Sequence, residues 1–285
     1  MAITVFMYHR ILPYRHPEAV DCDLFSRQLE YLKKHFRMLS PDELSAALSG
    51  NALFPSQPAA ALTFDDGYAD NWLYATPILK KHSLSAICAV SASYLYEGTC
   101  RESISREVLD RSMAEARQAA AKKDFSSYAS DAELRQMVES GVWRLAAHGT
   151  RHELGDHQCS ILAAPQSGAS LADFKDFLRQ DLENCRQKLA MLPGVIDGMF
   201  FWPYGHWSRP AAEIAAELGF RWQFSVHKGL IVSPECHGVY PRVGVSARWK
   251  KFHKNVFIFR HRVLTLLHDC FHTEKLNFDD CCREN

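Results

Sequence analysis

Short apolar runs alternate along this chain with segments of helical periodicity, and that alternation restricts the fold more than any other feature. The runs fall at Ile3–Tyr8, Ala59–Phe64, 85–90, Trp143–Ala147 and 199–202. Each is short, apolar on both faces and followed by turn residues, as expected of a strand buried on both sides. Between them, Phe25, Leu29, Leu32 and Phe36 mark one face of a helix. Ser40-Pro41-Asp42-Glu43 supplies a cap, a first-turn proline and a glutamate to close a capping box, and Ser130-Asp131-Ala132-Glu133 repeats the device ahead of Leu134, Met137 and Val138. Leu171–Leu189 reads as a further helix, and 210–218 as one stopped by Gly219. Alternation of this kind implies parallel strands joined by helical crossovers. At 285 residues the chain suits one α/β barrel. Two stretches fit less well. Residues 97–130 are polar with an alanine-rich helical pattern at Met113–Ala121, and read as an insertion; 154–170 form a Gly-, Ser- and Ala-rich loop. Both follow strands, where loops shape a substrate cleft.

The apolar run ending in Leu62-Thr63-Phe64 is followed at once by Asp65-Asp66-Gly67-Tyr68. The strand would deliver both acids to the carboxyl end of the sheet, where α/β enzymes keep their chemistry. Adjacent like charges are costly unless a cation, a proton or a division of labour separates them. A solvated turn is the plainer account of such a pair, and Asp279-Asp280 is read as no more than that. A second motif favours chemistry: His148-Gly149-Thr150-Arg151-His152 also closes an apolar run. Two neutral imidazoles and one carboxylate make a three-ligand site for a divalent ion with a position left open. Spacing alone proves little, because the chain has 14 histidines and His268 and His272 lie equally far apart. The discriminating fact is placement at strand ends.

Together the two motifs resemble those of the NodB-homology polysaccharide deacetylases, carbohydrate esterase family 4. Trp202-Pro203-Tyr204-Gly205 is similar to that family's Pro-Tyr motif, and Met7-Tyr8-His9-Arg10-Ile11 to the opening of one bacterial branch. The likeness spans positions 7 to about 245 and implies a distorted (β/α) barrel of seven or eight strands. It also implies an N-deacetylase of amino sugars in glycans, an amidase dependent on one divalent ion, most often Zn, with Co, Ni or Mn as alternatives. By that resemblance Asp66, His148 and His152 hold the metal, Asp65 is the base, and the backbone N–H of Tyr204 stabilises the oxyanion. Trp202, Pro203 and Tyr68 are expected to contact the sugar, and His9, at the end of the first strand, to be a polar pocket residue. The chain departs from the family pattern at Phe201, where an arginine usually braces the base; Arg242 in Tyr240-Pro241-Arg242-Val243 is the candidate replacement, against the plainer reading of an arginine that pairs with a surface acid. Leu266-Leu267-His268 has the letters of the family's general-acid motif, but in a stretch that reads as helix.

Lys plus Arg and Asp plus Glu are equal at 33 each, so no global field points to nucleic acid. The nine cysteines form no regular framework, and Ala2 to Tyr8 is too short for a secretory signal, which leads us to expect a reducing cytoplasm. The barrel is expected over 1–247, followed by a basic, amphipathic extension over 248–285. Six Lys or Arg lie between Arg248 and Arg262, with Phe252, Val256, Phe257, Ile258 and Phe259 interleaved and no acid. This stretch reads either as a helix covering the barrel or, over 248–267, as a peripheral contact with the inner membrane face, where a lipid-linked glycan would be the natural substrate. Two rival functions compete with this reading: a non-catalytic glycan-binding module of the same fold, and a structural zinc site for partner binding built from His268, Cys270, His272, Cys281 and Cys282, whose spacing matches no standard finger.

Overall fold

A computed structural model of the chain describes residues 2–234 and 238–271. In chain order its strands are β1 (Ile3–Tyr8), β2 (Ile11–Leu12), β3 (Val20–Asp21), β4 (Arg37–Met38), β5 (Ala59–Phe64), β6 (Ala86–Val90), β7 (Trp143–Ala147), β8 (Val195–Phe201), β9 (Trp222–Phe224), β10 (Val239–Tyr240) and β11 (Val243–Gly244). The helices are α1 (Cys22–His35), α2 (Pro41–Leu48), α3 (Thr76–His82), α4 (Arg106–Leu109), α5 (Met113–Ala121), α6 (Asp131–Glu139), α7 (Leu171–Leu189), α8 (Arg209–Glu217), α9 (Trp249–Phe259) and α10 (Arg262–Phe271). Eight strands form one parallel, curled sheet in the order β10-β9-β8-β7-β6-β5-β1-β11, with β4 pairing the start of β5. The two outermost strands are consecutive, and Pro241-Arg242 links them across the seam.

Alternation along the strands sorts the core into two layers. Ile3 and Val5 of β1, Ala59 and Ala61 of β5, Ile87 and Ala89 of β6, Ala146 of β7, and Met199 and Phe201 of β8 pack together inside the sheet's curl. The many alanines suit a narrow interior. The alternate residues, among them Phe6, Leu62, Cys88, Leu145 and Phe200, face outward against Leu29 of α1, Leu134 of α6, Leu178 and Leu182 of α7, and Ile214 of α8. Capping boxes start α2, α5, α6 and α7. Each satisfies two otherwise orphaned backbone donors, a device worth about 1 kcal/mol when its cap residue is lost.

Helix α9 is woven into the outer layer, with Phe252, Val256 and Phe259 buried in it. Thr4 donates a 2.6 Å bond to the Phe259 carbonyl, so α9 lies toward the amino end of β1. The intervening Lys250, Lys251, His253 and Lys254 are exposed, as is Phe257. Among the described residues no helix is long and apolar enough to cross a membrane.

Candidate metal and catalytic centre

Strand phase decides which motif side chains enter the curl. On β5 the inward positions are Ala59 and Ala61, so Thr63 and then Asp65 follow them; on β7 Ala146 leads to His148, and on β1 Val5 leads to His9. Asp66 would point outward in a continued strand. Its φ of 72°, followed by 73° at Gly67, turns the chain through the left-handed region and changes the direction of its carboxylate. Aspartate is one of the few non-glycine residues that tolerate that conformation. Gly149, at φ 76°, performs the same service in the second motif, and a Cβ there would lie 2.7 Å from Leu162 Cδ1.

The three expected metal ligands converge. Asp66 Oδ1 lies 3.2 Å from His148 Nε2 and 3.1 Å from His152 Nε2. All three ligand atoms fall within 4.8 Å of one another, and all three residues are buried. His148 Nδ1 is 2.7 Å from the Phe201 carbonyl, which can only accept. The proton therefore sits on Nδ1, and the Nε2 lone pair faces the carboxylate. Asp66 Oδ1, although buried, has no hydrogen bond of acceptable geometry. A His148 lone pair aimed at a carboxylate oxygen in a dry site calls for a cation between them, and two imidazoles with one carboxylate suit Zn²⁺. Burial opposes the charge on Asp66, yet His152 and His148 hold its carboxyl well below the usual carboxylate range. Burial lowers the His152 imidazole by more than Asp66 raises it. For His148, burial is outweighed by Asp66, Asp65 and the Phe201 carbonyl, and the imidazole is raised. A metal entering here would displace the second proton, the one at Nε2, and leave the Nδ1 proton on the Phe201 carbonyl.

Asp65 has a different partner. Arg242 reaches it from the seam between β10 and β11 in a bidentate pair of 2.6 and 2.8 Å, with the arginine fully buried. The same guanidinium donates to Thr63 Oγ1 (3.2 Å) and to the Ser225 carbonyl (2.9 Å), and lies 4.7 Å over the Phe201 ring. The residue standing where an arginine was expected thus forms the flat surface beneath the arginine supplied from elsewhere. Burial pushes the Asp65 carboxyl up, but Arg242 and, less strongly, His148 and His9 keep it below its ordinary value. Asp65 is an ionised carboxylate.

Three supports were not read from the sequence. Asp181 of α7 accepts the N–H groups of Thr150 (2.8 Å) and Arg151 (3.0 Å), clamping the loop between the two histidines, and burial raises its pKa to about 6. Its signal was present, because Asp181 shares the apolar stripe of Phe174, Leu178, Leu182 and Cys185. Arg10 pairs with Asp70 at 2.9 Å and donates to the carbonyls of Leu109 and Arg111, which ties the insertion to the barrel mouth. Tyr68, Tyr128 and Tyr94 form a stack beside His152.

The remaining expected residues divide. His9 is half-buried at the end of β1, within the electrostatic reach of both acids. Tyr204, at φ 58°, sets its ring 4.4 Å from that of His152. The expected sugar contacts need correction. Trp202 is wholly buried, its indole N–H bonded to Gln223 at 3.0 Å and its ring edge-on to Phe200. Pro203 is buried close to Gly149, and Tyr68 is wholly buried against Tyr128. None of the three presents a face to an incoming ligand; they shape the walls behind the site. His268 packs on Phe259 of α9, toward the opposite end of β1 from the acids, so it is not placed as their general acid. Of the other residues weighed for a structural zinc site, His272, Cys281 and Cys282 lie outside the described residues, as does the side chain of Cys270. A cavity of about 250 Å³ opens beside His9, lined also by Arg10, Val245 and Met113 of the insertion. A larger cavity, about 1080 Å³, does not touch the acids but shares Pro17, Ala19 and Ala247 with the smaller one.

Comparison with known proteins bears on the family and the fold. The family profile described as polysaccharide deacetylase matches residues 54–222. The poly-β-1,6-N-acetyl-D-glucosamine N-deacetylase of Escherichia coli O157:H7 is 23% identical over 250 residues, covering 80% of this chain and 35% of that protein. The chain thus spans about a third of that curated relative's length. Among solved structures, a de-N-acetylase from Aggregatibacter actinomycetemcomitans superposes with a TM-score of 0.71 at 20% identity, covering 90% of this chain and all of that one. IcaB from Ammonifex degensii gives 0.70 at 21% identity, covering 91% and 97%. At these identities the superpositions establish the barrel fold.

Proposed function

Because this chain belongs to the polysaccharide deacetylase family, we propose that it removes N-acetyl groups from an amino sugar within a glycan, using one divalent ion held by Asp66, His148 and His152. The observation that carries the reading is the buried convergence of one carboxylate and two imidazoles beside a separately neutralised carboxylate. When bound, such an ion acts as a Lewis acid toward the amide carbonyl and lowers the pKa of water to about 7.

The residues of the chain divide the rest of the work. Asp65, kept ionised by Arg242, takes a proton from the attacking water. Arg242 has no freedom to leave, being held by Thr63 and Ser225, so the base keeps its orientation through the reaction. Water adds to the acetyl carbon, the bond from that carbon to nitrogen breaks, and the proton passes to the departing nitrogen, giving acetate and an amine. We assign His9 to that delivery, as a half-buried imidazole near both acids that, among the described residues, neither the metal ligand set nor an ion pair uses. The backbone N–H of Tyr204 is assigned to the developing oxyanion. A module that only binds glycans has no need of a carboxylate held ionised inside a barrel mouth, which favours turnover over the non-catalytic alternative.

The name of the Escherichia coli relative makes N-acetylglucosamine oligomers the first substrates to try. Zinc-loaded protein should release acetate from them, and Asp65→Asn should lose about 10²–10⁴ in rate while keeping its metal. Wild-type release no faster than that of His148→Ala, or an Asp65→Asn variant as fast as wild type, would overturn the reading.

A further inference from the structure

The insertion brings to this site a cation that, among the described residues, forms no ion pair with an acid. Arg10, Arg101, Arg111 and Arg242 each pair with a carboxylate, namely Asp70, Glu133, Asp124 and Asp65. Arg117 of α5 is different. It is half-buried, its guanidinium lies 5.5 Å over the Tyr204 ring, and the charges and dipoles it feels are those of Tyr204, Tyr68, Asp66 and Tyr94, with no side-chain hydrogen bond to any of them. Met113, one helical turn earlier on the same face, lines the cavity beside His9. Arg117 therefore brings donors to the site, while its nearest acidic neighbour, Asp66, is committed to the ligand set. The scaffold is firm, since Arg10 holds the carbonyls of Leu109 and Arg111, and Arg101 grips Glu133 and the Ser126 and Tyr128 carbonyls.

We propose that Arg117 is a specificity-determining residue that binds an anionic group, a carboxylate or a phosphate, carried by the acetylated sugar close to its N-acetyl group. A half-buried planar guanidinium that makes no hydrogen bond among the described residues matches such an oxyanion in a bidentate way. The inference rests on the deacetylase reading of the same site and narrows its substrate class.

The test titrates metal-loaded wild type, Arg117→Gln and Arg117→Lys with N-acetylglucosamine, N-acetylmuramic acid (carboxylate) and N-acetylglucosamine 6-phosphate. Ligand-observed NMR reports Kd, and the same spectra report acetate. At least one anionic sugar should bind wild type about 10- to 100-fold more tightly than the neutral sugar. Arg117→Gln should abolish that advantage without weakening the neutral sugar, and Arg117→Lys should keep part of it. Comparison of the two anionic sugars identifies which oxyanion is preferred. Equal binding of neutral and anionic sugars to wild type, or an advantage that survives Arg117→Gln, would overturn the proposal. Acetate release without an anion preference defeats this inference alone, whereas an Arg117-dependent preference without any acetate release defeats the deacetylase reading alone.

Discussion

Replacing Arg242 with methionine isolates the most heavily used side chain of the site. The substitution keeps a long apolar stem but removes four donated hydrogen bonds, two of them to Asp65, one to Thr63 and one to Ser225. Charge-assisted bonds are worth about 1.5–3 kcal/mol each, but they are not additive. The better guide is the cost of leaving a buried ion without its partner, about 3–5 kcal/mol. Asp65 limits the loss by taking up a proton, because once the guanidinium is gone burial dominates and its pKa rises. The sign of the pH dependence follows. In wild type the Asp65 pKa is lowered by folding, so its contribution is present above the unfolded-state value near 3.8 and is lost only in acid. In Arg242→Met the shift reverses, and stability falls as pH rises through the new, higher pKa. Urea denaturation with a chelator present, at pH 5 and pH 8, should show the full loss of about 3–5 kcal/mol at pH 8 and a smaller one at pH 5. Adding Asp65→Asn removes the stranded charge and should recover much of the difference. A loss below about 1 kcal/mol at pH 8, or a double variant no better than the single one, would refute the claim that this pair is buried, ionised and mutually dependent.

Other expectations follow from the same geometry. The raised pKa of Asp181, about 6 against 3.8, means that its contribution is present below about pH 4 and lost as pH rises through 6. Asp181→Asn should therefore remove a pH-dependent term of about 3 kcal/mol across that window, and should weaken metal affinity about 10- to 100-fold by loosening the histidine loop; identical stability–pH curves would contradict this. Gly205 has φ 70°, and a Cβ there would meet Val226 side-chain and backbone atoms at 2.4–2.5 Å. Gly205→Ala should cost about 1–3 kcal/mol in a melt and disturb the turn that carries Tyr204. On the carboxyl-terminal helices, Phe257, Val263, Leu266 and Leu267 are 50–68% exposed beside exposed lysines. We propose that this surface contacts anionic lipid, so vesicles containing phosphatidylserine should float with the protein at low salt and release it at high salt; no flotation at low salt would remove the idea.

Much of this structure was legible because its elements announce themselves locally. Strands β1, β5 and β7 and helix α7 occupy the residues that apolar runs and caps marked out. Strand β8 starts earlier than expected, at Val195, and runs through Asp197-Gly198, a step that carries no strand pattern. It is in fact a distortion within the strand, with Gly198 at φ 82° and a register shift against β7. The two- and three-residue strands β9, β10 and β11 carry too little pattern to be seen alone. The convergence of Asp66, His148 and His152 was legible because strand ends and ligand chemistry coincide in them. Arg242 was legible only as a candidate, since nothing local shows that the seam between β10 and β11 falls above Asp65. The buried Trp202 and Tyr68 were misread because an aromatic residue in a motif looks the same whether it meets a ligand or the core. Asp181 was overlooked although a charge on an apolar helix stripe is a usable signal. Arg117 has no such signal, because its position depends on how the insertion folds back over the mouth.

The central claim is that Asp66, His148 and His152 share one ion, and counting that ion tests it most directly. Native mass spectrometry with elemental analysis of zinc-loaded protein should give one equivalent per chain for wild type and for Asp65→Asn, and strongly reduced occupancy for Asp66→Ala, His148→Ala and His152→Ala. A wild type that retains no ion, or alanine variants that retain a full equivalent, would contradict the account.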